Sequence, residues 1–64
     1  MTSRELLRRL RRLGAAVVTD RGKGGHVMVR LGGRESYVPT GRGDVKTGTL
    51  AAILKQLDLR RDQI

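Results

Sequence analysis

His26 is the single histidine in a chain of 64 residues. Histidine is the residue type that changes charge near neutrality, so it can take a proton from an attacking hydroxyl or return one to a leaving group. Just before it stand Lys23, Gly24 and Gly25; beyond it come Arg30, Arg42 and Lys46. Consecutive glycines let a phosphate approach the backbone, and successive N–H groups form an anion nest. Cations near a phosphate in reaction stabilise the charge that builds on it. RNA brings its own nucleophile, the 2′-hydroxyl. One histidine to move protons and a few cations to hold phosphate are therefore equipment for cutting RNA without a metal. DNA lacks the 2′-hydroxyl and fits this equipment poorly. The same residues admit a plainer reading. A lone histidine at a strand start is also an ordinary surface imidazole, and a glycine-rich loop is also how many hairpins turn.

Composition narrows the classes. There is no cysteine, which excludes disulfides and thiolate chemistry and fits a reducing, cytoplasmic setting. One histidine and 6 carboxylates leave little for a metal site, so no metal and no cofactor are expected. No apolar run reaches the length of a membrane span, and no apolar segment follows the first residues as a secretory signal would require. The dominant feature is charge: 14 Lys and Arg against 6 acids give +8. Such a field attracts polyanions, and nucleic acid is the default partner. With Tyr37 as the sole aromatic, base reading by serial stacking is disfavoured against backbone or shape recognition.

These side chains need a frame. Thr2-Ser3-Arg4-Glu5 has capping-box spacing and opens a helix over residues 2–13. Leu6, Leu10 and Leu13, with Leu7 beside them, form its apolar stripe; Arg4, Arg8, Arg11 and Arg12 lie on the other side. Gly14 is placed to end it in the left-handed conformation. Residues 15–19 read as a strand, and residues 20–25 as a basic loop. From His26 to Leu31 the residues alternate, Gly32-Gly33 signals a tight turn, and residues 34–38 return. Pro39 stops the ladder. The two-residue turn fixes the register: Leu31 faces Arg34, Arg30 faces Glu35, Val29 faces Ser36, Met28 faces Tyr37 and Val27 faces Val38. A basic loop over 40–46 leads to a second helix, with Thr47 or Thr49 as N-cap and Leu50, Ile53, Leu54 and Leu57 as its stripe. Residues 58–64 are expected to form one loose turn.

The result is one α+β domain over 1–64, ordered α-β-β-β-α, with a three-stranded antiparallel sheet and two helices on one of its faces. The apolar strand residues must face the helices. His26, Met28, Arg30, Glu35 and Tyr37 then share the open face. Arg30 and Glu35 stand opposite each other and suit a cross-strand ion pair, the alternative being Arg30 on phosphate.

Several stretches together resemble the HicA toxins of toxin–antitoxin modules, the HicA mRNA interferases. They are Ser3-Arg4-Glu5-Leu6-Leu7, the Gly24-Gly25-His26 step into a strand, Val38-Pro39, and Lys46-Thr47-Gly48-Thr49-Leu50 leading to Ile53-Leu54-Lys55-Gln56-Leu57. The resemblance runs nearly end to end. It implies a fold like the double-stranded-RNA-binding domain, cleavage of mRNA with His26 as general acid/base, and a HicB-type antitoxin that covers the His26 face. Where many members carry further histidines or aromatics, this chain has Val27 and Met28 after His26 and Thr40-Gly41 after Pro39. Ser36 fills an inward position that is usually apolar. A second acid/base group would come from Glu35, Tyr37 or Lys23, or His26 acts alone. Two other readings remain on sequence grounds: a non-catalytic RNA-binding module, and, more weakly, a DNA-binding regulator, for which helix-turn-helix spacing is missing.

Overall fold

The computed structural model describes residues 1–18, 25–41 and 43–64. Its elements run α1 (Ser3–Arg12), β1 (Ala16–Val18), β2 (His26–Leu31), β3 (Arg34–Pro39) and α2 (Thr47–Gln56), followed by a short 3-10 turn at Arg61–Gln63. The three strands form one antiparallel sheet in the order β1-β2-β3. The α-β-β-β-α order expected from the sequence is the observed one.

The register of the β2–β3 hairpin is also the expected one, from Leu31↔Arg34 through Val27↔Val38, and it runs one pair further, to His26↔Pro39. Gly32 and Gly33 both have positive φ, as a tight hairpin turn requires. On the inward face Val29 and Val38 are fully buried. They pack with Leu6 and Leu10 of α1 and Leu50, Ile53 and Leu54 of α2. Burying one such side chain is worth about 1.5–3 kcal/mol, and this single cluster is what holds both helices to one side of the sheet.

Ser36 sits inside this apolar face at 2 % exposure. Its hydroxyl donates to Oε1 of Gln56 on α2 at 2.5 Å, so the buried polar group is satisfied and ties helix to strand.

Both helices end alike. After α1, the Ala15 N–H donates to the Leu10 carbonyl at 3.0 Å and the Gly14 N–H to Arg11 at 3.0 Å. After α2, the Leu59 N–H donates to Leu54 at 2.8 Å and the Asp58 N–H to Lys55 at 3.2 Å. Both are Schellman closures, with the left-handed residue Gly14 in one and Asp58 in the other. Leu13 therefore caps α1 at 39 % exposure instead of extending the buried stripe.

Other expectations need correction. Neither threonine caps α2; its N-cap is Lys46, without a side-chain hydrogen bond. The Thr2–Glu5 capping box is half made. Thr2 Oγ1 accepts from the Glu5 N–H at 3.1 Å, while the Glu5 carboxylate turns to Arg8 and Arg9. Residues 58–64 are not loose. Leu59 and Ile64 pack on the core, and Arg9 Nη1 donates to the Ile64 carbonyl at 3.2 Å.

Candidate active site

His26 opens β2, the central strand, and is exposed. Side chains alternate along a strand, so His26, Met28 and Arg30 share the helix-free face with Glu35, Tyr37 and Pro39. Gly25, before it, is left-handed at φ 85. The Gly25 carbonyl accepts the Thr40 N–H at 2.6 Å, one rung beyond the His26–Pro39 pair. The histidine backbone is thus held by β3 at the end of the ladder, with its side chain exposed on the open face.

Tyr37 is half exposed, at 51 %, and stands one diagonal step from His26. Diagonal partners in a sheet lie about 7–8 Å apart, within reach of an aromatic side chain. Arg30 and Glu35 lie at the other end of the hairpin. Arg30 lies four residues along the strand from His26, about 13 Å. The Arg30 guanidinium donates to Glu35 at 3.1 Å. Glu35 is therefore too far away, and otherwise engaged, to serve as proton partner for His26. The Arg30–Glu35 pair is exposed on both sides, so it contributes little to stability and yields readily to a competing phosphate.

Met28 departs from the expected exposure of this face: it is buried, at 6 %. It occupies the middle of the central strand, with Val18 on one flank and Tyr37 on the other. Three side chains in a row across the sheet cover the one between them. Lys46 is exposed at the start of α2, on a different element from His26. Lys23, Gly24 and Arg42 lie outside the described residues. The structure thus brings together Gly25, His26 and Tyr37 and leaves Arg30 at the other end of the hairpin.

One feature lies outside the sequence-derived site residues, although the α1 arginines read from the sequence as a solvated face that adds general RNA affinity. A groove of about 660 Å³ runs between α1 and the residue after β3, lined by Arg4, Leu7, Arg8, Arg11, Arg12 and Thr40. The signal was present in the spacing of these arginines, one per helical turn beside Leu7. Only the position of Thr40 makes it a groove.

Taken together, these features define a small, strongly basic α+β protein with one exposed histidine on the free face of its sheet. The chain belongs to the HicA toxins of bacterial toxin–antitoxin systems, whose family model matches residues 3–59. It is the toxin half of such a pair, and a cognate antitoxin is its partner. Comparison with curated proteins and with solved structures gave no match. Among the described residues, no helix is long and apolar enough to cross a membrane.

Proposed function

We propose that this toxin is a metal-independent endoribonuclease that cuts mRNA, with His26 as its general acid/base. The observation that carries the reading is the exposed His26 at a clamped strand end, on the one sheet face that no helix covers. The reaction balances without a co-reactant. The 2′-oxygen attacks the adjacent phosphorus as its proton passes to His26. The bond from phosphorus to the 5′-oxygen breaks, and the proton returns to that oxygen. The products are a 2′,3′-cyclic phosphate and a 5′-hydroxyl. Gly25, with Lys23 and Gly24, positions the phosphate; Arg30, Arg42 and Lys46 supply further backbone contacts. A HicB-type antitoxin inhibits by covering the His26 face, and the net charge of +8 draws an acidic partner to the toxin.

The test is a denaturing gel of a defined RNA incubated in EDTA with the parent protein or with His26→Ala. The parent should cleave, and the variant should be slower by about 10²–10⁴-fold. A matched DNA should stay intact. If neither protein cuts the RNA while both still shift it on a native gel, the chain is a non-catalytic RNA-binding module.

A further inference from the structure

The groove beside α1 has no part in the proton chemistry at His26, yet its composition points to an anion. Arg4, Arg8 and Arg11 succeed one another at one helical turn, with Arg12 at the rim. From Arg4 to Arg12 the row spans about 12 Å along the helix axis. Like charges three and four residues apart destabilise a helix. Glu5 relieves only part of this, through Arg8 and Arg9. Among the described residues, Arg4, Arg11 and Arg12 form no ion pair. The floor of the groove is Leu7, half-buried on the core. Cations in a row over an apolar floor suit a chain that carries one negative charge per unit and an apolar ring face between charges.

The groove also joins the His26 site. Thr40 forms its far wall, and the Thr40 N–H is bonded to the Gly25 carbonyl beside His26. Val38 is buried on the helix side and Pro39 shares the open face with His26, so Thr40 at the strand end borders both the groove and the His26 face. A strand lying over His26 and passing Pro39 and Thr40 meets Leu7 and then the arginine row.

We infer that the groove between α1 and Thr40 carries the single-stranded RNA flanking the cleaved bond, with Arg4, Arg8 and Arg11 on successive phosphates and Leu7 against a sugar or base. This rests on the RNA-cleaving reading. It makes the toxin's affinity depend on the length of RNA on one side of the cut.

The probe is a labelled single-stranded 12-nucleotide RNA, with binding followed by fluorescence anisotropy in the His26→Ala background so that nothing is cut. Arg4→Gln/Arg11→Gln in that background should weaken binding about tenfold, and the salt slope should fall by about 1.4, the value for two phosphate contacts on a single strand. Arg60→Gln/Arg61→Gln removes the same charge from the exposed C-terminal turn and should leave the slope near that of the parent. Circular dichroism should show that both variants keep the fold. Equal losses in the two double variants would mean a general charge effect and would overturn the groove assignment. So would unchanged RNA binding with a weakened antitoxin complex, which would give the groove to the protein partner. Either result leaves the His26 chemistry standing. If the 12-mer fails to bind any of these proteins, the groove assignment and the RNA-cleaving reading fall together.

Discussion

His26 and Tyr37 share the free sheet face within one diagonal step, and the tyrosine can serve the site in distinguishable ways. A ring that stacks a base contributes about 1–3 kcal/mol, so Tyr37→Ala should weaken RNA binding by fivefold or more while Tyr37→Phe keeps it. Equal RNA affinity in the parent and in Tyr37→Ala, read by anisotropy, would reduce the ring to cover for Met28. A loss of cleavage rate in Tyr37→Phe with affinity intact would instead make the hydroxyl part of the proton path. On the inward face, Ser36 depends on Gln56. Gln56→Ala should cost about 1–3 kcal/mol in urea unfolding, because it strands a buried hydroxyl. The double variant Ser36→Ala/Gln56→Ala should cost less than the sum of the two single changes.

The secondary-structure elements differ most at their ends. Gly14 closes α1 without strain, whereas Asp58 holds the same left-handed position after α2 with a Cβ attached. Asp58→Gly should raise stability by roughly 1 kcal/mol, seen as a higher Tm; a lower Tm would mean that the Asp58 side chain supports the turn. At the other end of α1, hydrogen bonds from Arg8 and then Arg9 hold the Glu5 carboxyl below its ordinary value of 4.5. A depressed carboxylate stabilises the fold above that pH, and its contribution is lost as pH falls through the folded-state value. Thermal melts should therefore show a loss from this group only below about pH 4.5, and Glu5→Gln should flatten that acid limb. An unchanged acid limb in Glu5→Gln would remove Glu5 from the account.

For the whole molecule, one apolar cluster serves both helices, so a cut anywhere in it is felt throughout. Leu10 is fully buried, and Leu10→Ala should cost about 2–5 kcal/mol, a large share of what so small a domain has. On the proposed reading, the antitoxin covers the one sheet face that the helices leave open. Hydrogen exchange of the toxin–antitoxin complex should show new protection over residues 26–30 and 35–39, and RNA should fail to displace the antitoxin at physiological salt. Protection confined to α2 would separate inhibition from occlusion of His26.

The order of elements, the hairpin register and the side of the sheet given to His26 follow from the sequence, because strand and helix periods and a two-residue turn are local rules. So does the family, since its motifs are short and contiguous. The Thr2 cap and the Gly14 stop were legible for the same reason. Other features depend on contacts between residues far apart in the chain. Met28 is buried because Val18 and Tyr37 flank it. Glu35 is lost to His26 because Arg30 holds it at the far end of the hairpin. Ser36 is tolerated because α2 brings Gln56 to it. The arginines of α1 line a groove because β3 ends with Thr40 opposite them. Local pattern fixes which face a side chain takes. Packing decides what it meets there, and only the tertiary fold supplies that neighbour.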